Sequence, residues 1–533
     1  MFRRIKIAMT VGLLTAAAVL FTQTAHAAVD LIIAVDSTGF VGQHNAMVLD
    51  PAGNPIISYY DATNEALKLA VCNGPICTNP TIRTVDSADN AGLYTSIALA
   101  PNGNPVISYL ADVGPLPMFP QLRLRLALCD NPTCSSAITR TLDTVDILPV
   151  TAVTLDSAGN PVVAYAQDNF IESSLVLAVC DDPTCATWSN NVLEVSSGPF
   201  HTDIDLALDS AGNPVISYVL DTDVFVAVCN GITCTSPTFT LVDTVSANLT
   251  DSTGLALDSS DHPRISYHDS LTSSTGEVRL AVCDDATCTG PTIRTIASTG
   301  GLGAGSDLAL DPQGNPVLSY VDDNTAELKL ATCSDPTCTA APTIRTLDGS
   351  FIDEKRTALA LDAPGSPAIA YLLRPSGYLL LYRSYVPAVP NPSFDLPLSA
   401  WSVIANDASN GRVCTTNDCA VVFTGSGGME LIRTTVPVET LPFAQWTLSL
   451  TLSGLAIPAE GFMGARLEFL DGGSPVTQAN CLVADRGTFD ATTITCPAAT
   501  APAAYDSIRI SVGWRDISDG LLFIDAVALD VTN

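Results

Sequence analysis

The chain has 533 residues, of which 47% are apolar and 15% charged, and its formal net charge is −32. There is too much apolar surface for a disordered acidic tail, and the negative charge argues against nucleic acid and anionic membrane as partners. Such a surface suits solubility, divalent cations or basic ligands.

Arg3, Arg4 and Lys6, then an apolar stretch from Ile7 to Phe21, then Ala25-His26-Ala27, have the layout of a secretory signal peptide with an A-x-A cleavage site. Residues 1–27 are read as that signal, which makes the protein secreted and extracellular. Losing three basic residues takes the formal charge to −35. No cysteine follows the site to carry a lipid, and no later apolar run is long enough to span a bilayer.

From residue 28 to 385 one unit recurs. Its clearest copy is "LALDSAGNPVISY", Leu206 to Tyr218, and its tyrosines are Tyr59, Tyr109, Tyr165, Tyr218, Tyr267, Tyr320 and Tyr371, spaced 49 to 56 residues apart. Each unit holds four short strand-like runs, a to d, typified by "LALD", "NPVISY", "LKLAVC" and "TIRTVD". A period near 50 with four strands per repeat predicts an all-β, seven-bladed β-propeller. In the a–b turn Asp bonds the backbone, Gly accepts a left-handed conformation, and Pro opens strand b where no ladder donor is lost. The last unit has no d strand, whereas "LIIAVDSTG" at Leu31 reads as a d strand ahead of the first a; an N-terminal strand is therefore expected to close the last blade.

The sixteen cysteines form eight expected disulfides. Six are C-x4-C pairs between strands c and d: Cys72 with Cys77, Cys129 with Cys134, Cys180 with Cys185, Cys229 with Cys234, Cys283 with Cys288 and Cys333 with Cys338. Each would staple a four-residue hairpin loop, worth about 2 kcal/mol by chain entropy. The last blade, whose d strand comes from elsewhere, reads "LLLYRSY" there and has no such pair. Zinc is the rival reading of thiolate pairs, and it would need four ligands per site and a reducing compartment. Cys414 with Cys419 and Cys481 with Cys496 complete the set.

Residues 386–390 belong to the proline-bearing linker "VPAVPNP", after which the repeat stops. From 391 to 533, runs such as "QWTLSLTLSG", "ARLEFLD" and "DSIRISVGW" predict a C-terminal β-sandwich.

The "D-x-x-G-N" turn and unit layout resemble the NHL and sialidase-like (BNR) repeat propellers. Sialidase activity would imply an arginine triad and Asp-box turns of the S-x-D-x-G-x-T-W kind. No such box is present, and Arg83, Arg140, Arg294 and Arg345 fall in outer strands. The C-terminal segment resembles galactose-binding-like jelly rolls and carbohydrate-binding modules through "NPSFDLPLSAWSV" and "LLFIDAVALDV". That resemblance implies a structural calcium held by Asp395 and Asp525, with Asn391 as a weaker ligand. No other cofactor is expected.

In propeller geometry the b–c and d–a loops share the face that ligands use. On it stand Asp61, Asp112, Asp168, Asp221, Asp269 and Asp322, which form either an acidic ring or Asx turns in their own loops. The favoured expectation is the turns, since architecture repeats where function breaks symmetry. Symmetry-breaking residues of that face are His44, His201 and His268, with Glu354, Lys355, Arg356 and Arg374. In the sandwich Trp401, Trp446 and Trp514 are the candidate sugar platforms, Trp514 foremost because it ends a strand. The main reading is a secreted, non-enzymatic protein that binds extracellular glycan or protein. The alternatives are a polysaccharide hydrolase or lyase and a structural surface component; acids and histidines converging at the channel mouth would favour the enzyme.

Overall fold

The structure, a computed structural model, describes residues 29–385 and 402–532 apart from loop residues, chiefly 115–120, 146–149, 197–202, 246–252, 300–304, 350–355, 405–410 and 425–428. Every regular element among the described residues is a β-strand, and no helix there is long and apolar enough to cross a membrane.

Seven four-stranded antiparallel sheets follow the expected a-b-c-d order. The first comprises Val41–Leu49, Pro55–Asp61, Ala66–Val71 and Thr81–Asp86, and the next five repeat that order through Thr343–Asp348. In the seventh, Ala358–Leu361, Pro367–Leu373 and Tyr378–Tyr385 are completed by Val29–Asp36, which pairs with Tyr378–Tyr385 from Val29 opposite Tyr385 to Asp36 opposite Leu379. Each a strand touches the a strand of the next sheet, and Ala358–Leu361 returns to touch Val41–Leu49, so the innermost strands form a closed cycle. Large residues on one sheet, such as Leu124 and Leu126, share a core with Val163 and Tyr165 on the next. This is a β-propeller.

The a–b turn works as its residues dictate. Asp50 Oδ1 accepts the N–H groups of Ala52 and Asn54 at 2.8 Å each, Oδ2 accepts Asn54 Nδ2, and Gly53 takes φ +81°. The same bonds recur at Asp156, Asp209 and Asp311, and Pro is the first residue of all seven b strands.

All six C-x4-C pairs are disulfides within their own c–d loops: Cys72 to Cys77, Cys129 to Cys134, Cys180 to Cys185, Cys229 to Cys234, Cys283 to Cys288 and Cys333 to Cys338. Cys481 is bonded to Cys496. The zinc alternative is thereby excluded for these fourteen thiols. The hairpin staples stand as expected, with a further feature at the second cysteine of each pair. Cys77, Cys134, Cys185, Cys234, Cys288 and Cys338 are all buried and take φ between +46° and +58°. Each donates its N–H to the carbonyl three residues earlier, at 2.9–3.2 Å. A tight turn has to close inside the loop before the sulfur can reach back to strand c, so a left-handed residue stands at the turn's end. Cys414 and Cys419 stand opposite each other in a hairpin, with side chains outside the described residues.

Two larger sheets follow. One orders Ser402–Ile404, Met429–Pro437, Ser507–Arg515, Phe462–Asp471 and Ser474–Leu482; the other centres on Leu521–Thr532 beside Gln445–Ile457. Ile432, Ile510, Val512 and Phe469 of the first meet Phe423, Leu450, Ile524 and Val527 of the second in one core, a β-sandwich.

Candidate functional site

The repeated polar residues resolve into fasteners between sheets. Each repeat tyrosine is buried. In six of the seven the hydroxyl donates to a carboxylate on strand d of the preceding sheet: Tyr59 to Asp36 at 2.7 Å, Tyr109 to Asp86 at 2.6 Å, Tyr165 to Asp143 at 2.5 Å, Tyr218 to Glu194 at 2.6 Å, Tyr267 to Asp243 at 2.6 Å and Tyr371 to Asp348 at 2.6 Å. Burial, helped by these anions, pushes the six phenols well above their ordinary range. Tyr320 alone makes no such bond among the described residues, because Ala297 occupies the strand-d position of the carboxylate; its phenol rises only to about 12. Closer to the axis, hydroxyls bridge strand b to the next strand a, as between Ser58 and Thr95 at 2.9 Å and between Ser319 and Thr357 at 2.8 Å.

Three of the loop-face aspartates, Asp61, Asp112 and Asp322, are turn residues. Asp61 is fully buried, accepts the N–H groups of Thr63 and Asn64, and pairs with Lys68 at 2.8 Å. Asp112 caps Gly114, Asp322 caps Asn324 and pairs with Lys329 at 2.7 Å, and buried Asp269 pairs with Arg279 at 2.7 Å. The side chains of Asp168 and Asp221 lie outside the described residues. No open acidic ring is left among the others.

The symmetry breaks at the heads of the inner strands. In the first two sheets strand a opens with a bulge: register slips between Val41 and Ala46 and between Ala91 and Ser96. There Gly42 and Gly92 take φ +97° and +107°, and a Cβ on either would stand within 2.9 Å of the Leu379 or Leu67 backbone. Two residues on, His44 and Tyr94 both adopt φ +51°, a left-handed backbone that L residues reach at a cost of about 1–3 kcal/mol. The pair of bulges brings the two rings together, centroids 4.3 Å apart. Over Tyr94 lies the Arg356 guanidinium, 5.2 Å from the ring, and Arg356 reaches Asp203 of the fourth sheet at 3.1 Å. One polar chain thus joins the first, second, seventh and fourth sheets.

Beside it stand Asp205 and Asp307, on the a strands Ile204–Leu208 and Ser306–Leu310. Equivalent positions elsewhere hold Ala46, Ser96, Ala152, Gly254 and Ala358, all small. Asp205 accepts N–H bonds from Leu206 at 2.8 Å and from Leu255 of the next sheet at 2.7 Å; Asp307 does the same with Leu308 and Leu359. Burial and the repulsion of Asp307 push the Asp205 carboxyl up to about 7, and burial raises Asp203 and Asp307 to about 6. His44 moves the other way, down to about 3, because burial and Arg356 disfavour its cation. At neutral pH the cluster therefore combines a neutral imidazole, a guanidinium and carboxyls of weakened acidity. Among the described residues no group of three or more His, Cys, Asp and Glu is arranged to hold a metal ion.

Of the sequence-derived candidates, His44 and Arg356 come together here. His268 does not: strand b of the fifth sheet runs on to Thr272, so His268 is fully buried within it, its Nε2 3.0 Å from Thr299 Oγ1. Trp446 and Trp514 are corrected as well. They are 1% and 3% exposed in the sandwich core, with indole N–H groups bonded to Tyr505 and to the buried Glu430, so neither offers a face to a sugar. His201, Glu354, Lys355, Trp401, Asp395 and Asn391 lie outside the described residues, as does the side chain of Asp525. Arg374 sits over Phe40, 5.7 Å from its ring. Asp203, Asp205, Asp307 and Tyr94 were missed; the departure of "DIDLALD" and "SDLALD" from an otherwise small residue was the available signal.

No family model matches the chain, and no curated protein matches it. Solved structures do. An exo-β-1,3-galactanase from Phanerochaete chrysosporium is 8% identical, with 82% of this chain and 95% of that one covered and a TM-score of 0.32. An α-L-arabinanase from Penicillium chrysogenum is 10% identical over 55% and 92%, with a TM-score of 0.39. An ulvan lyase bound to its oligosaccharide is 13% identical over 66% and 94%, with a TM-score of 0.41. Likeness this distant leaves the function of the chain to be argued from its own residues.

Proposed function

We propose that the chain is an exported glycan-active enzyme, a polysaccharide hydrolase or lyase, with its chemistry at the inner-strand cluster of a seven-bladed propeller (28–385) and the sandwich (391–533) as a separate module. The observation that carries this reading is Asp205. With its carboxyl pushed up to about 7 it is half protonated at neutral pH beside the carboxyl of Asp307, and cleavage of a glycosidic bond needs a proton donor and a base. The hairpin disulfides support export, because so many survive only in an oxidising compartment. A calcium between Asp395 and Asp525 belongs to the same proposal, and chelation should then lower the sandwich's melting temperature.

The test is to incubate the secreted chain with neutral and acidic polysaccharides and to read reducing ends and unsaturated uronates. Turnover that falls at least about a hundredfold in Asp205→Asn is expected. Failure to release product from any of them sinks the proposal. Binding of glycan or protein without turnover is the second reading, and a specific observation favours it: both oxygens of Asp205 and of Asp307 already accept backbone N–H bonds, which ties them to the frame.

A further inference from the structure

Residues 391–533 contain fifteen acidic side chains, six arginines and no lysine. Four of the six arginines share one face of the five-stranded sheet. Arg433 stands opposite Ser511, Ser511 opposite Arg466, and Arg466 opposite Asn480; in the next row Thr435, Arg509, Glu468 and Gln478 line up. On the other side a row of Leu431, Gly513, Gly464 and Leu482 is followed by Met429, Arg515 and Phe462. The intervening residues, among them Ile432, Ile510, Val512 and Leu467, fill the core, so the arginines point away from it.

Arg509 pairs with Glu468 at 3.8 Å and Arg515 with Asp516 at 3.2 Å, whereas Arg433 and Arg466 are held but not neutralised. Arg433 Nε donates to Ser511 Oγ at 3.1 Å and Arg466 Nε to Asn480 Oδ1 at 3.0 Å, both neutral acceptors. Among the described residues neither forms an ion pair with a carboxylate, although the chain is acidic throughout. Arg515 lies over the half-exposed ring of Phe462, 5.2 Å from its centroid. Between these rows the two central strands carry only Gly464 and Gly513, where a Cβ would stand 2.0 Å from the Cys481 carbonyl oxygen or 2.1 Å from that of Glu430. The strip is therefore bare of side chains in the middle of the sheet, with an aromatic ring on one side and guanidiniums, a hydroxyl and amides on the other.

We propose that this face binds an anionic polysaccharide through carboxylate or sulfate groups carried on sugar rings. Guanidinium forks fit either group bidentately, Phe462 offers apolar ring surface, and the exposed Asn480 and Gln478 suit hydroxyls. Arg433 and Arg466 are two strand spacings apart, about 10 Å, so they meet successive anionic groups of a polymer rather than one ion. The site lies outside the inner-strand cluster and does not depend on its chemistry.

The test uses the full secreted chain in affinity electrophoresis with polygalacturonate, dextran sulfate, neutral dextran and polyglutamate. Retardation by polygalacturonate, by dextran sulfate or by both is expected, and which of them binds identifies the anionic group. Binding should weaken at least tenfold in the double variant that combines Arg433→Gln with Arg466→Gln, and in Gln478→Glu, an exposed position outside the core, with melting temperatures unchanged. Asp205→Asn should leave it intact, which keeps a failure here distinct from a failure of the catalytic reading. No retardation by either anionic glycan, equal retardation by polyglutamate or dextran, or indifference to the arginine variants would overturn it.

Discussion

Replacing Tyr371 by Phe removes one hydroxyl, and its cost follows from the surroundings. The hydroxyl donates at 2.6 Å to Asp348, which is 7% exposed. A hydrogen bond to a charged acceptor at such a site contributes about 1.5–3 kcal/mol, and the buried anion left behind recovers little from water. Tyr371→Phe should therefore cost about 2 kcal/mol. Tyr320→Phe deletes the same atom from an equally buried ring, but Ala297 faces it where the carboxylate should be, and the cost should stay below about 0.5 kcal/mol. Urea titration with unchanged m-values reads both differences. Ala297→Asp then supplies the missing acceptor, and it should be better tolerated by about 1–2 kcal/mol in the parent than in a Tyr320→Phe background. Equal losses for Tyr371→Phe and Tyr320→Phe would refute the idea that these bonds fasten one sheet to the next.

Stability should fall as pH rises from about 5 to 7. Asp203, Asp205 and Asp307 have folded pKa values above their ordinary 3.8, so the folded state holds protons that the unfolded chain has released across that window. His44, lowered from 6.5 to about 3, works in the opposite sense as one group against three, and the carboxyls held below their ordinary range, Asp61, Asp130, Asp182, Asp258, Asp285, Asp335 and Asp506, have released their protons in both states by about pH 5. Asp205→Asn should flatten the slope; a parent whose urea midpoint climbs from pH 5.5 to 7 would contradict the cluster's electrostatics. Deleting residues 28–38 should lower the melting temperature by several degrees, because Tyr378–Tyr385 loses its only outer neighbour; an unaltered melt counts against closure by that strand. Non-reducing peptide maps should return each C-x4-C pair within its own peptide and join Cys414 to Cys419, and a link between sheets would break the staple scheme. Iodide should fail to quench Trp446 and Trp514 with or without sugar, and ready quenching would mean the core is wrongly drawn.

What was legible in the sequence was whatever repeats locally. Asp50, Gly53 and Pro55 spell out a hairpin within six residues, and the type match between "LIIAVD" and "TIRTVD" was enough to place the closing strand. The tyrosine and the strand-d aspartate were each visible as repeats, but their bond joins neighbouring units about 23 residues apart and has no local signature. The inner-strand cluster was harder still, since His44, Tyr94, Asp203 and Arg356 come from four different sheets. In "MELIRTTVP" the acid Glu430 is fully buried while the apolar Met429 is 47% exposed. The phase of that strand is set by Ile432, Thr434 and Val436 together, and it carries Glu430 inward, where the Trp514 indole satisfies it.

The strand Val29–Asp36 is made first and used last. Its partner ends at Tyr385, so at about 5–20 residues per second some 20–70 s of synthesis separate the two. Throughout that interval "VDLIIAVD" is an unpaired, largely apolar strand able to template association with another chain. Asp30 and Asp36 flank the apolar run and act as gatekeepers while it waits. Once the ring closes, Asp36 accepts the Tyr59 hydroxyl, and Asp30 takes up the Tyr382 hydroxyl at 2.5 Å together with Arg345. The charges that keep the nascent chain apart become the bonds that lock the finished one.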